Sequence, residues 1–443
     1  MKRRNRMIRS LLFLLLLLLL TGSSSAVDVQ VGPTASPGGA VIVVVDGLGA
    51  SYVYPEYNAY ALDGSPLQKA VLFNLTGSGA RAVDVTVPVP ETTKSHSVLI
   101  TGNSKVNPEA IGPTIFDMAR RKGYLCLAVL ERGDSMPVLQ KMDAVLYLGD
   151  NALHGAEPTP GFRDNVPAGI RVLFQEWRDK FAEYTSPAGL PGYAGNDAWG
   201  LDAAADIVEH LPGQPFVMLV NVGAVDSAGQ NLGANGYLQT VQALDLPLGR
   251  LKEVCRKNNV LLVITADHGM CFPDTKGKGG HSADKYAGRL ESLRVPLVFV
   301  GPGVEELNLG GRWSEMDIAP TVLGLLNISL NLTAEGKPLP IREGYNLRVA
   351  GAPAGVELWR GDAKVANGNS GGDYSFRGLE RGLYTLKAGG KSWEILVNGD
   401  QTMDLAGKTP FSGDMKKMIG IILILAINLV GIALIIRIWK RCE

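Results

Sequence analysis

Apolar residues are concentrated in five short runs between residues 40 and 300. Each run has the length of one strand and is followed by glycine or by polar residues, a pattern that is typical of strands buried on both faces of a sheet. The runs cover residues 41–45, 126–130, 216–222, 260–266 and 295–300.

Amphipathic patterns with a helical period lie between these runs. They cover residues 114–123, 168–184, 201–211 and 236–257, the last interrupted by Pro247. Strands that alternate with helices form parallel sheets, because a parallel connection needs a long crossover. We therefore predict an α/β domain over residues 38–345, with a mostly parallel sheet and helices on both of its faces.

The pattern changes after about residue 345. Short alternating runs are separated there by Gly, Asn and Asp, as in small β-sandwiches. We predict a small β-sandwich-like domain over residues 346–408. No chemically distinctive group recurs in it, so we interpret it as a spacer or a binding module.

Both ends of the chain carry apolar segments flanked by basic residues. Residues 1–26 combine a basic start, a leucine run and small residues before position 26, which predicts a secretory signal peptide, with an uncleaved anchor as the alternative. Residues 418–436 are long enough to span a membrane. We predict a single-pass protein of the cell membrane, with a cytoplasmic tail at 437–443 and the domains between the two apolar segments outside the cytoplasm.

Charge and cysteine content exclude some classes of protein. Basic and acidic residues number 43 each, so no long-range charge favours nucleic acid as a partner. Cys126, Cys255 and Cys271 are too few for a disulfide framework. Cys271 lies close enough to His268 to be a candidate metal ligand, although a lone thiol after a strand is more often a small core residue.

Charged side chains follow the first run and the run at 260–266 directly. Asp46 follows the first run, and Asp267 and His268 follow the run at 260–266. Open α/β sheets bind their ligands at this edge. The alternative is structural: Asp267 caps a following helix and His268 is a hydrogen-bonded histidine at the rim.

Three further segments carry candidate chemistry. Residues 89–102 form a hydroxyl-rich turn, with Thr92 and Thr93, that leads into an apolar helix. Asp226 and Gln230 are four positions apart, so they can share one face of a helix. His281 lies in the glycine-rich segment 276–284. Neither a dinucleotide fingerprint nor a Walker phosphate loop is present.

Together these residues form two sets of three nitrogen and oxygen ligands. The first ligand set is Asp46, Asp267 and His268; the second ligand set is Asp226, Gln230 and His281. Three protein ligands suit a divalent ion at a catalytic site, where further positions stay open.

The order of these motifs resembles the alkaline phosphatase superfamily of metallohydrolases. Asp-Gly follows the first strand, a hydroxyl turn ends in Thr-Gly, and Asp-x-x-Gly, Ala-Asp-His-Gly and a final histidine come after it. The superfamily includes type I phosphodiesterases, cofactor-independent phosphoglycerate mutases and sulfatases. The resemblance covers residues 41–328, with 149–214 unmatched, and includes the phrases VPLVFVGPGV and DIAPTVLGLLNI.

The resemblance implies the role of each residue. Thr92 would be the nucleophile, with Thr93 as the second choice, and the metal of the first ligand set would activate its hydroxyl. The second ligand set would hold the other ion. It implies two divalent ions, Zn²⁺ above all, with Mn²⁺ or another harder ion as the alternative where Gln230 replaces the histidine of the family pattern.

The implied activity is hydrolysis of a phosphate ester by a membrane-anchored phosphodiesterase or phosphatase. The substrate is then a phosphate ester, and no nucleic acid partner is expected. Three alternatives stay open: a sulfatase-like enzyme, a transferase of phosphorylated head groups, and a catalytically degenerate surface binding protein. The segment at 91–97 lacks the context in which sulfatases carry their modified residue, which favours phosphate over sulfate.

Overall fold

The computed structural model describes residues 26–32, 35–132, 136–151, 157–328 and 333–405. The chain divides into two compact units, one of residues 34–343 and one that combines residues 1–33 with 344–443. No helix within the described ranges is long and apolar enough to cross a membrane. The predicted signal peptide, apart from Ala26, the predicted membrane helix at 418–436 and the tail at 437–443 lie outside the described residues.

The strands fall into three sheets. In chain order they are β1 (Val27–Gln30), β2 (Gly39–Val45), β3 (Ala80–Thr86), β4 (Leu125–Leu130), β5 (Ala144–Tyr147), β6 (Thr159–Phe162), β7 (Phe216–Val222), β8 (Val260–Thr265), β9 (Arg294–Val300), β10 (Leu307–Ser314), β11 (Tyr345–Ala352), β12 (Val356–Arg360), β13 (Ala363–Gly368), β14 (Gly372–Leu379), β15 (Gly382–Ala388), β16 (Lys391–Val397) and β17 (Gln401–Asp404).

The described helices all belong to the large unit. They are Phe73–Thr76, Thr92–Thr101, Ile115–Arg121, Met136–Leu139, Ala168–Thr185, Leu190–Glu209, Ala224–Ala243, Asp245–Lys257, Asp284–Ala287, Leu290–Leu293 and Ile318–Leu325, with 3₁₀ turns at Ala50–Tyr52, Pro108–Ala110 and Glu315–Asp317.

The large unit is built on a nine-stranded sheet with the order β10-β3-β9-β8-β2-β7-β4-β5-β6. Its centre, from β8 to β5, is parallel, and every residue of β2, β4, β7 and β8 is buried. The prediction of an α/β fold with a mostly parallel sheet is therefore confirmed. One difference is β9, which runs antiparallel to β8 although its apolar run resembles those of the parallel strands.

Two helical patterns extend beyond the predicted bounds. The pattern at 236–257 forms two helices that meet at Leu244, and Pro247 lies in the first turn of the second, where a missing N–H costs no intrahelical hydrogen bond. The pattern at 201–211 is the end of a helix that begins at Leu190. The first half of this helix contains glycines and a proline, so its sequence does not show the periodic apolar pattern that predicts a helix.

The register of the central strands brings the candidate residues to one edge. Val45 of β2 pairs with Val222 of β7, and Val44 pairs with Thr265 of β8. These three strands therefore end at the same level. The residues that follow them, including Asp46 and Asp267, leave the sheet side by side.

The small unit consists of two four-stranded sheets, β1-β14-β11-β17 and β13-β12-β15-β16. Side chains from both sheets, among them Leu347, Leu358 and Phe376, form one buried apolar cluster. Strand β1, which the predicted range 346–408 does not include, pairs in parallel with β14. A strand from the beginning of the chain thus completes a sheet formed by its later part.

Candidate active site

The candidate site lies where β2, β7 and β8 end. Asp46 follows β2, Asp267 and His268 follow β8, and Asp226 lies in the first turn of the helix that follows β7. All four side chains are fully buried. Buried charges are costly unless they are paired or bind a cation, so this edge of the sheet is a strong candidate for function.

A tight turn after β2 lets Asp46 and Asp226 approach each other. Gly47 has a φ of +79°, and a Cβ atom at this position would lie 2.9 Å from the Cβ of Asp226. Tyr237 fixes the turn, because its hydroxyl donates to the Gly47 carbonyl at 2.9 Å and accepts from the Gly49 N–H at 3.1 Å. Glycine is required here for its backbone conformation and for its size.

The first ligand set converges on one point. Nε2 of His268 lies 3.3 Å from Oδ1 of Asp46 and 3.6 Å from Oδ2 of Asp267. Oδ1 of Asp267 accepts from the N–H groups of Gly47 and His268, which leaves Oδ2 for the cluster. The helix cap proposed as the structural alternative for Asp267 is not its role.

Three buried oxygens of this set lack an ordinary hydrogen bond. Both carboxylate oxygens of Asp46, and Oδ2 of Asp267, accept no hydrogen bond of good geometry. Buried polar atoms are nearly always satisfied, so unsatisfied oxygens need an explanation. A divalent cation between Asp46, Asp267 and His268 would satisfy them, and these residues therefore fit a metal ion.

Thr92 supplies the hydroxyl group beside this cluster. It is the first residue of the helix Thr92–Thr101, it is buried, and its Oγ1 lies 3.2 Å from Nε2 of His268. Thr93, the second choice, is half-buried. The structure brings the hydroxyl of Thr92 to the imidazole.

His281 and Asp226 form a second cluster that also includes His268. Nε2 of His281 lies 3.7 Å from Oδ1 of Asp226, and the rings of His268 and His281 are stacked with centroids 3.6 Å apart. The ligand atoms of the three residues lie within 4.8 Å of one another. We call these residues, Asp226, His268 and His281, the Asp226 cluster.

Backbone carbonyls set the tautomer of both histidines. Nδ1 of His268 lies 2.9 Å from the Gly269 carbonyl, and Nδ1 of His281 lies 2.7 Å from the Pro90 carbonyl. A carbonyl only accepts, so each Nδ1 carries a proton and each Nε2 is the nitrogen that can offer a lone pair to a cation. This arrangement is the usual outer support of metal-binding histidines.

Gln230, which the sequence predicts as a metal ligand of the second set, is hydrogen-bonded to Asp226 in this structure. Its amide nitrogen lies 3.0 and 2.8 Å from the two oxygens of Asp226. A carboxylate only accepts, so the amide nitrogen, and not the amide oxygen, faces the site. In this arrangement Gln230 positions Asp226 through hydrogen bonds.

The helix that carries Asp226 is interrupted, and the loop that carries His281 contacts it there. Gly233 has φ +72° and ψ −168°, which interrupts the helix. The carbonyl of Gly229 accepts instead from the N–H of Gly279 at 2.9 Å. The glycine-rich loop is thereby held against the helix, and His281 is brought close to Asp226.

Arg132 is a member of the site that the sequence analysis missed. Its Nε lies 3.1 Å from Oδ2 of Asp46, and its Nη2 lies 3.3 Å from Oδ2 of Asp226. It follows β4 in the same way that Asp46 follows β2. The signal that identified the other strand ends would have found it.

Two buried acids beside Arg132 hold the start of the helix that carries Asp226. Oε2 of Glu131 accepts from the N–H of Gly223 at 3.0 Å, and Oδ1 of Asp197 accepts from the N–H of Ala224 at 2.8 Å. Burial raises the pKa of both carboxyls, that of Asp197 to about 7. A proton shared by the pair avoids two buried negative charges.

Burial and neighbouring charges also shift the pKa values of the candidate ligands. Burial, together with the charge of Asp46, raises the pKa of Asp267 to about 7 and that of Asp226 to about 6. Burial would lower the pKa of His268, but Asp267 and Asp46 outweigh it and raise it to about 10. Burial would raise the pKa of Asp46, but Arg132 and His268 hold it below its usual range. Burial, with the charge of His268, lowers the pKa of His281.

A family model with the description "metalloenzyme superfamily" matches residues 39–330, a range that includes every candidate residue from Asp46 to His281. The chain belongs to the metalloenzyme superfamily. The fold is that of an alkaline phosphatase-like metalloenzyme, and the family predicted from the motifs is confirmed. Family and ligand clusters together support binding of divalent metal by this metalloenzyme.

Individual relatives of this metalloenzyme match smaller parts of it. The 2,3-bisphosphoglycerate-independent phosphoglycerate mutase of Brugia malayi is 30% identical over 134 residues, which are 29% of this chain and 24% of that protein. The protein of the same name from Psychrobacter arcticus is 31% identical over 127 residues, 29% of this chain and 22% of that protein. The chain thus spans about a quarter of the length of these curated relatives.

The similarity in fold extends further than the similarity in sequence. The crystal structure of wild-type alkaline phosphatase PafA aligns with a TM-score of 0.51 and 14% identity, over 69% of this chain and 99% of that chain. At this identity the likeness is one of fold. The roles of the metalloenzyme's residues must be argued from its own site.

Cys271 is a core residue in this structure. Its side chain is buried, and its Sγ lies 3.1 Å from Oγ of Ser292. Burial raises the pKa of the thiol to about 11. Both observations favour the structural interpretation over metal binding.

Proposed function

We propose that this metalloenzyme hydrolyses phosphate esters through a covalent intermediate on Thr92. The observation that carries the proposal is the position of the Thr92 hydroxyl, 3.2 Å from Nε2 of His268 and beside the unsatisfied oxygens of Asp46 and Asp267. Asp46, Asp267 and His268 would hold a divalent ion. Such an ion supplies positive charge that lowers the pKa of a bound hydroxyl and stabilises the transferring phosphoryl group.

The chain's own residues account for the rest of the reaction. Thr92 Oγ1 loses its proton to water and forms a bond to phosphorus, while the bond from phosphorus to the leaving oxygen breaks and that oxygen takes up a proton from water to leave as the alcohol. Water then attacks the phosphothreonine, phosphate leaves, and Thr92 regains its proton. The helix Thr92–Thr101 begins at the nucleophile, so its N-terminal dipole favours the negative charge of the phosphoryl group.

Replacement of Thr92 tests this proposal. Thr92→Ala should lower turnover of p-nitrophenyl phosphate or bis-p-nitrophenyl phosphate by about 10³-fold or more, because the attacking atom is lost. Thr93→Ala is the matched control and should retain activity. Metal content should be unchanged in both variants, which is measured by elemental analysis. Full activity in Thr92→Ala would place the nucleophile elsewhere.

The choice of substrates distinguishes the neighbouring activities. The monoester and the diester rank phosphatase against phosphodiesterase, and p-nitrophenyl sulfate tests the sulfatase alternative. An added acceptor alcohol tests the transferase alternative. A protein that binds metal and cleaves none of these esters would favour the binding-protein alternative.

We also propose that the enzyme lies outside the cytoplasm and is attached to the membrane by a single anchor. The proposal rests on the apolar segments at 1–26 and 418–436 and the basic residues beside them. The full chain should sediment with membranes, and a chain that ends before residue 418 should not. Protease added to intact cells should digest the large unit. Protection from protease would contradict the proposed orientation.

A further inference from the structure

The two clusters of ligand atoms share one imidazole nitrogen. Nδ1 of His268 donates to the Gly269 carbonyl at 2.9 Å, so only Nε2 has a lone pair available. That lone pair coordinates one cation at a time. An ion bound by Asp46, Asp267 and His268 would leave Asp226 and His281 as the two remaining ligands of the Asp226 cluster.

The carboxylate of Asp226 is already satisfied by protein donors. The amide of Gln230 contacts both of its oxygens at 3.0 and 2.8 Å, and Nη2 of Arg132 lies 3.3 Å from Oδ2. Asp46 and Asp267 differ, because three of their oxygens accept no hydrogen bond of good geometry, although Nε of Arg132 lies 3.1 Å from Oδ2 of Asp46. The carboxylate oxygens that a bound cation would satisfy therefore belong to the first ligand set.

Arg132 is held between the two clusters by its surroundings. Its Nη1 donates to Oγ of Ser227 at 2.9 Å, and its side chain is only 10% exposed. A Cβ at Gly223 would lie 2.4 Å from Cδ of Arg132, so the glycine makes room for the arginine. The guanidinium group is thereby fixed against Asp46 and Asp226 at once.

Arg132 already supplies positive charge between the two clusters. Its guanidinium group lies within 3.3 Å of a carboxylate oxygen of Asp46 and of Asp226. A second divalent ion at Asp226 would lie beside this buried guanidinium group, and like charges repel strongly in a site of low dielectric constant.

We infer that the enzyme binds one divalent ion, at Asp46, Asp267 and His268, and that Arg132 takes the place of the second cation that the sequence predicts at Asp226, Gln230 and His281. This inference rests on the proposed function, because it concerns the same site. In it Arg132 is a positioning residue that supplies fixed positive charge, and Gln230 orients Asp226 for that contact.

Titration of the full chain with Mn²⁺ tests the inference, after removal of metal with a chelator. Elemental analysis gives the number of bound ions, and electron paramagnetic resonance distinguishes an isolated Mn²⁺ from a spin-coupled pair. The wild-type chain should bind one ion per chain and give the spectrum of an isolated ion. Arg132→Gln should bind up to two ions with a coupled spectrum, whereas Arg132→Lys should bind one.

Arg120→Gln is the matched control, because Arg120 pairs with Asp143 at 3.0 Å instead of with a candidate ligand. It should bind one ion. Two coupled ions in the wild-type chain would overturn the inference and leave the proposed function standing. A folded Arg132→Gln variant with one ion of unchanged affinity would overturn the role of Arg132. A wild-type chain that binds no Mn²⁺ would instead overturn the metal site of the proposed function. If Arg132→Gln does not fold, the wild-type ion count and spectrum still decide the number of ions.

Discussion

The two compact units bury different kinds of side chain. Among the described residues, every buried charged side chain lies in the large unit, and Asp46, Asp226, Asp267 and His268 meet at the ends of its central strands. The buried cluster of the small unit is apolar throughout. An apolar cluster stabilises a fold by its burial alone, whereas buried charges add little net stability.

The difference indicates that the large unit carries the chemical function. Replacing buried ionic groups with well-packed apolar residues is often neutral or stabilising, so four buried ionisable groups at one sheet edge are best explained by a ligand. The small unit has no such feature in the part of the chain that the structure describes. A change at the sheet edge should therefore alter chemistry, and a change in the small unit should alter stability.

The largest effect is expected at His268. His268→Ala removes the ligand that both clusters share, so bound metal and activity should both fall by more than about 100-fold, the loss seen even for the outer partners of metal ligands. Elemental analysis and turnover of nitrophenyl esters measure the two quantities. His210→Ala, at an exposed histidine on another helix, should change neither. Retention of metal in His268→Ala would contradict the shared-ligand geometry.

A smaller effect is expected at Gly47. Gly47→Ala places a Cβ 2.9 Å from that of Asp226 and forces alanine to a φ of +79°. Metal affinity should fall by about 10- to 100-fold, as for other changes that displace ligands without removing them. Gly64→Ala is a sharp control, because Gly64 has a φ of +86° with nothing within 4 Å of the added Cβ. Equal losses in both variants would show that backbone strain alone is responsible.

The pH dependence of metal binding gives a graded test. Without metal, burial holds the pKa of Asp267 at about 7, and Asp267 and Asp46 outweigh burial and hold the pKa of His268 at about 10, so both groups are protonated at lower pH. A divalent ion at the first ligand set must displace these protons. Affinity should therefore rise with pH, by roughly tenfold per pH unit for each proton displaced, up to about pH 10.

Calorimetric titrations with Mn²⁺ at several pH values measure this slope. Titrations in two buffers of different ionisation enthalpy count the protons released. An affinity that is independent of pH, with no proton release, would show that the ion binds away from Asp267 and His268.

The smallest effect on chemistry is expected in the small unit. Phe376→Ala truncates a fully buried side chain of its apolar cluster and should lower the free energy of unfolding by about 3–5 kcal/mol. Metal content and turnover below the unfolding temperature should stay unchanged. Leu262→Ala, a comparable truncation in β8, should lower both stability and activity. A large loss of activity in Phe376→Ala would show that the two units are coupled.

Much of this site was predictable because its signal is local in sequence. Each ligand directly follows a buried apolar run or lies on the element after it, so strand ends alone identified Asp46, Asp267 and His268. Arg132 carries the same signal after β4 but was missed because the family motifs do not include it. Asp197 lies within the stretch at 149–214 that matched no motif.

Other features depend on contacts that no single segment encodes. The antiparallel direction of β9 is set by its neighbours β8 and β3, since its apolar run is compatible with either direction. The pairing of β1 with β14 joins residues more than three hundred positions apart along the chain. The orientation of the Gln230 amide follows from the carboxylate opposite it, and a sequence shows only that an amide is present.

Anomalous diffraction from crystals of the protein grown with Mn²⁺ tests the central claim most directly. We predict one anomalous peak in the site, in contact with Asp46, Asp267 and Nε2 of His268 and beside the hydroxyl of Thr92. A site without a peak, or a metal bound away from these three ligands, would contradict the account.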